Sequence, residues 1–271
     1  MAPKPQEEVR RLPAATVLYG APIGLLGGLT GLGGAEFRLP VLAGVFRYPA
    51  RRAVALNIAI SLITVASALL IRGGTLSFAP LLELLPVVAA MIVGAVSAAY
   101  VGTALVHRVS ERLLERVILV FLVVIGTALI VEAFLPQDMA GLLPDALAVR
   151  IVAAVLFGLG IGLVSSLLGV AGGELIIPTL VFAFGAGIKT VGTASLLISL
   201  PTVAVGVLRH QKLGSCGERA DVTGTVAPMG IGSVLGAVVG GFLVGVVPAT
   251  ALKLVLGIIL IVSAVRIFRG H

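Results

Sequence analysis

Apolar stretches at 14–31, 36–48, 53–71, 79–104, 113–134, 147–168, 174–187, 190–208, 224–246 and 250–268 fill the chain, separated by short clusters of Arg, Lys, Gly and Pro. Their apolar character is continuous rather than alternating at every second residue, which excludes a barrel of short strands. In hydrocarbon each peptide group needs a partner within its own segment, so the stretches predict helices. A crossing takes about 20 residues. Most stretches approach or exceed that length, but 36–48 and 174–187 do not. A helix of their size rises roughly 20 Å against roughly 30 Å of hydrocarbon, so length alone makes them loops or re-entrant pieces.

Basic residues argue otherwise. If the two short stretches are loops, Lys and Arg divide 10 to 9 between the two sides of the membrane. If each returns the chain across, 14 collect on one side and 4 on the other, with Arg38 inside a segment. Orientation follows such a bias in short loops, so ten segments with both termini cytoplasmic is the expectation, whether the short arms cross fully or fold back. The division expected is a cytoplasmic tail at 1–13, a first membrane repeat at 14–135, a connecting loop at 136–146 and a second repeat at 147–271.

Composition agrees with the membrane class: 59% of the 271 residues are hydrophobic and 11% charged, with mean hydropathy +1.19. The net charge of +7 would suit nucleic acid in a soluble chain. Here the cations sit at helix ends, so lipid is the partner and nucleic acid is not. Met1–Pro13 lacks the compact apolar core and small-residue site of a signal peptide, which predicts a retained first helix. The single Cys216 forms no internal disulfide.

Residues 23–70 align without a gap on 161–208, at a constant offset of 138, with 17 of 48 positions identical. Leu and Gly would match by chance in so apolar a chain; the shared Glu, Pro, Ser and Thr would not. With five segments per copy, an odd number, the second copy enters the membrane inverted. The fold class expected is an all-α polytopic membrane protein of two inverted repeats, with helices broken or re-entrant at the Gly-rich motifs.

The motif that recurs best carries chemistry. Gly31-Leu32-Gly33-Gly34-Ala35-Glu36, with Pro40, becomes Gly169-Val170-Ala171-Gly172-Gly173-Glu174, with Pro178. Glycines permit a close turn, and a helix that restarts after it presents free N–H groups, a receptor for a small anion. The plainer reading is that the glycines serve helix packing, as at Gly27 and Gly31. Glu36 and Glu174 are costly at membrane depth. Ionised they repel an anion, and protonated they donate to one, so proton coupling is expected. The plainer role for each is to face a helix dipole.

A second duplicated feature lines the same place. Asn57, Ser61 and Thr64 share one helical face, as do Ser195, Ser199 and Thr202. Any one of these hydroxyls could simply bond its own backbone. Arg38, aligned with Ile176, could neutralise Glu36, attract an anion or snorkel to an interface. The candidate substrate-binding set is therefore Gly33, Gly34, Ala35, Glu36, Arg38, Asn57, Ser61, Thr64, Gly172, Gly173, Glu174, Ser195, Ser199 and Thr202. His107, His210 and His271 do not cluster with acids at metal spacing, so neither metal nor cofactor is expected. No nucleophile with its base appears, so an enzyme is not expected either.

The doubled motifs at 28–40 and 167–178 resemble the sulfite exporter TauE/SafE family, also called toluene sulfonate uptake permeases. The resemblance extends over nearly the whole chain in size, duplication and the Gly-rich motif ending in Pro. Where the family often has three consecutive glycines, this chain has Ala35 in one copy and Ala171 in the other. The resemblance implies a prokaryotic inner-membrane carrier of sulfite, organosulfonates, thiosulfate or related anions. Its partners would be a small anion, protons and lipid, with a homodimer left open. The alternatives are a cation or metal-ion carrier using the paired glutamates, or a non-transporting membrane subunit.

Overall fold

A computed structural model of the chain describes residues 13–30, 33–73, 79–134, 141–214, 221–243 and 249–268. Most of the tail at 1–13, Gly31, Leu32, residues 136–140 of the connecting loop, Cys216 and His271 lie outside the described residues.

The described residues form helices and turns only. In order these are α1 (Pro13–Thr30), α2 (Ala35–Pro40), α3 (Ala50–Gly73), α4 (Ala79–Leu82), α5 (Leu85–Arg108), α6 (Glu111–Glu132), α7 (Leu147–Leu168), α8 (Gly173–Pro178), α9 (Ile188–Lys212), α10 (Ala227–Leu243) and α11 (Ala249–Phe268). Among the described residues, six spans are long and apolar enough to cross a membrane: 50–71, 85–108, 111–131, 147–168, 190–212 and 222–243. The stretch read as one segment from 79 is two pieces. A turn at 83–84 separates α4 from α5, and Pro86 in the first turn of α5 supplies a fixed φ and needs no donor there.

The two short stretches are the returning arms of hairpins. Each has six α-helical residues followed by a five-residue π turn, Val41–Val45 after α2 and Thr179–Ala183 after α8. Proline explains the change of winding at the same place in both. Pro40 and Pro178 lack the N–H for the bond four residues back, and their rings crowd that carbonyl, so the next turn widens. Phe46 then donates five residues back, to the Val41 carbonyl, at 3.0 Å.

Polar contacts sort the turns into two ends. At the first, Thr16 donates to the Gly224 carbonyl (3.0 Å) and Tyr48 to Asp221 (3.1 Å), and Arg52 pairs with the same buried carboxylate. Arg51 donates to the carbonyls of Val106 (3.2 Å) and Val109 (2.7 Å). The rings of His107 and His210 lie 5.7 Å apart nearby. At the second end, Arg150 pairs with Asp145 and donates to the Phe184 carbonyl, and the N–H groups of Leu142 and Leu143 bond to Phe182 and Ala183. Thus α1 sets out from the first end and its short arm returns there, whereas α7 and its arm do so at the second. Arg51 and Arg52, expected only as orientation charges, also tie the first end together.

Two seams dominate the packing, α1 against α10 and α5 against α7. Both are built on glycine at four-residue intervals. Gly20, Gly24 and Gly28 of α1 face the backbone of Met229, Ser233 and Ala237, and Gly232, Gly236 and Gly240 of α10 face Val17, Ala21 and Leu25. A β-carbon at Gly24 or Gly236 would sit 2.0 or 1.9 Å from a carbonyl oxygen across the seam. Lipid gives no hydrophobic drive between helices, so close backbone approach is what holds such pairs. Between the seams, α3 and α9 pack against each other at the centre, and α6 pairs with α11.

Candidate functional site

The two hairpin turns bring the two acids together inside the protein. Gly34 and Gly172, which precede α2 and α8, both adopt left-handed φ, +73° and +83°. That conformation costs an L-residue about 1–2 kcal/mol and glycine almost nothing. The two positions differ in surroundings. A β-carbon on Gly34 would meet the Ile23 carbonyl at 2.7 Å, whereas on Gly172 it would meet only the end of the Ile161 side chain, at 3.1 Å. Gly34→Ala is therefore expected to lower the unfolding midpoint clearly more than Gly172→Ala, measured on the purified variants in detergent.

Just beyond these turns, Glu36 is fully buried and Glu174 is 6% exposed. No donor among the described residues meets their four carboxylate oxygens at ordinary hydrogen-bond geometry, and the two carboxyls lie within interaction reach of each other. Glu174 lies within electrostatic reach of both Glu36 and Arg38, and Arg38 within reach of both acids. The three ionisable groups thus form one buried cluster.

Arg38 is fully buried and held by oxygen acceptors. Its Nε donates to Asn57 Oδ1 at 3.0 Å, one Nη to Ser61 Oγ at 2.8 Å and the other to the Gly33 carbonyl at 3.4 Å. Asn57 in turn donates to the Ala35 carbonyl at 2.9 Å, which ties α3 to the start of α2. Of the roles the sequence left open for Arg38, snorkelling to an interface is excluded by this burial.

The two polar stripes divide their work. In the first, Asn57 and Ser61 serve Arg38, and Thr64 donates to the carbonyl of Ser61 in its own helix at 3.1 Å. In the second, Ser195 and Ser199 face a cavity of about 350 Å³, while Thr202 donates to the Ile198 carbonyl of its own helix at 2.7 Å. The cavity is also lined by Gly33, Thr64, Ala171 and Gly173. It extends to Ile71 and Phe242, which are exposed near the ends of α3 and α10. Glu36 and Glu174 are not among the residues that line it.

The wall that α10 contributes, including Val234, Ala237 and Val238, carries no polar atom for a sequence reading to notice. Its only signal is the four-residue glycine spacing on the helix. A larger cavity of about 1020 Å³ lies against α2 and the turn that follows it, lined by Phe37, Pro40, Tyr48 and Leu260 among others. The described residues contain no group of three or more metal-ligating side chains.

Comparison with known proteins gives this arrangement its context. The family described as sulfite exporter TauE/SafE matches residues 1–129 and 154–271. The chain belongs to that family. It is also 30% identical, over 124 residues, to a probable membrane transporter protein of Methanocaldococcus jannaschii. That match covers 43% of this chain and 44% of the relative, so the chain spans less than half the length of the curated relative it matches. No solved structure matches. As a TauE/SafE member with six helices able to cross a bilayer, the chain is a multi-pass membrane protein of a transporter family. The resemblance read from the doubled glycine motif therefore holds.

Proposed function

We propose that this TauE/SafE protein moves small sulfur-containing anions, sulfite or organosulfonates, across the prokaryotic inner membrane by alternating access, coupled to protons through Glu36 and Glu174. The observation that carries the reading is the buried cluster itself. Two carboxyls that interact with each other, unmet by an ordinary hydrogen-bond donor among the described residues, face one guanidinium tied to neutral oxygens. With both acids ionised the cluster has net charge −1 and rejects an anion. Protonation of the acids removes that repulsion and leaves Arg38 to attract one, so proton and anion travel together. A divalent metal is a poorer occupant, because the guanidinium repels it.

The paths of the two hairpins support the same reading. Each hairpin returns to the end it left, and the two hairpins start from opposite ends. The seams exchange partners accordingly: the first helix of one half meets the third long helix of the other. The end that gathers Arg47, Arg51, Arg52 and Arg108 is the cytoplasmic one under the charge rule, with both termini there. The small cavity, which reaches Ile71 and Phe242 at the other end, then faces outward.

Flux in proteoliposomes tests the proposal. An imposed pH gradient is expected to drive sulfite or sulfonate uptake in the wild type. Glu36→Gln with Glu174→Gln is expected to insert and fold normally, because neutral amides are cheaper to bury, but to show flux that no longer responds to the gradient. Gradient-driven flux that survives in the double variant removes the role given to the acids.

A further inference from the structure

The two halves differ at one position of the site, and the difference exposes a second cradle. In the first half, the carbonyl of Gly33, Asn57 Oδ1 and Ser61 Oγ surround a cation that belongs to the protein, the guanidinium of Arg38. At the constant offset of the repeat, the same three places are held by Ala171, Ser195 and Ser199. Each again offers an oxygen, one from backbone and two from side chains. All three residues line the small cavity. Ser195 and Ser199 are 4% and 2% exposed. The residue equivalent to Arg38 is Ile176, and among the described residues no Lys, Arg or His lines this cavity.

From this juxtaposition we propose that Ala171, Ser195 and Ser199 form a binding site for a small monovalent cation, of which sodium is the fitting one. Hard cations take neutral and anionic oxygens, and unwound backbone beside a broken membrane helix is where transporters place them. Ala171 lies in such a break, between the end of α7 and the start of α8. When both acids are ionised, Glu36, Glu174 and Arg38 together carry one net negative charge, which favours a cation in this part of the protein. Arg38 is, in this view, the tethered counterpart of an ion that the second half takes from solution. One bound ion per chain follows, as does weakened binding when Glu174 is protonated.

The proposal concerns cation binding alone and stands or falls separately from the identity of the anion. Its test is equilibrium binding of radioactive sodium to the purified full chain at mildly alkaline pH, with the unfolding midpoint measured in NaCl and in choline chloride at equal ionic strength. Sodium is expected to saturate at one ion per chain and to raise the midpoint by several degrees over choline. Ser195→Ala with Ser199→Ala is expected to weaken binding about tenfold or more. Methylguanidinium, the head group of Arg38, is expected to displace the ion from the unaltered protein, where tetramethylammonium does not. Absence of saturable sodium binding overturns the proposal. So does binding that the serine variants leave unchanged, or binding that methylguanidinium fails to displace.

Discussion

Arg38→Met is expected to abolish anion uptake and to destabilise the protein by about 3–5 kcal/mol, the cost of leaving buried charge without its partner. The variant leaves two carboxylates facing each other with no cation, and it strips Asn57 Oδ1 and Ser61 Oγ of the donor each one accepts from. Methionine fills similar volume, so the loss reports charge and hydrogen bonding rather than a void. Adding Glu36→Gln returns the cluster to its native net charge. Much of the lost stability should then reappear in the unfolding midpoint while uptake stays at background, a coupling that a double-mutant cycle measures directly. A midpoint for Arg38→Met equal to that of the wild type would show that the guanidinium does not balance the acids.

The second large effect belongs to the seam between α5 and α7. Gly162→Val is expected to prevent assembly, because the added β-carbon would lie 2.1 Å from the Ala95 carbonyl and rigid helix backbone cannot yield there. Overpacking usually costs about 1–3 kcal/mol when side chains can shift, and more is expected where only backbone can move. Gly160→Val, two residues away on the same helix, meets nothing within 4 Å and should leave the protein intact. Helix propensity is the same in both variants, so their difference isolates the crossing. Size-exclusion profiles of the two from detergent extracts give the readout: aggregate or no peak for the first, a single wild-type peak for the second.

Hydropathy and charge carried the fold a long way. The stretch read at 147–168 coincides with α7, and 250–268 differs from α11 by one residue. Hydrogen bonds of Tyr48, Arg51 and Arg52 gather 47–52, 106–109 and 221–225 at one end. Apolarity could not show where winding changes, because Pro40 and Pro178 act through a missing donor and a crowded carbonyl. It also ran α4 and α5 together, since Leu82 and Leu85 read the same on either side of the turn.

The site was legible where the two copies agree and obscure where they differ. Glu36 and Glu174 announced themselves as matched acids in apolar sequence. Arg38 stood out as a candidate but its role did not, because its counterpart is Ile176 and its partners, Asn57 and Ser61, are 19 and 23 residues away. The two stripes looked equivalent as sequence. Only the packing shows that one is occupied by a guanidinium and the other opens on a cavity.

The glycine seams also set the order in which the protein can be made. Thr16 and Gly224, bonded at one end of the seam between α1 and α10, are 208 residues apart in the chain. The ribosome therefore releases α1 long before its mate exists, and the bare glycine stripe must wait in lipid until α10 arrives. Truncation ahead of α10, or synthesis of the amino-terminal half by itself, leaves that stripe unmatched and open to quality-control proteases. Supplying the missing half as a separate polypeptide in the same cell should protect it.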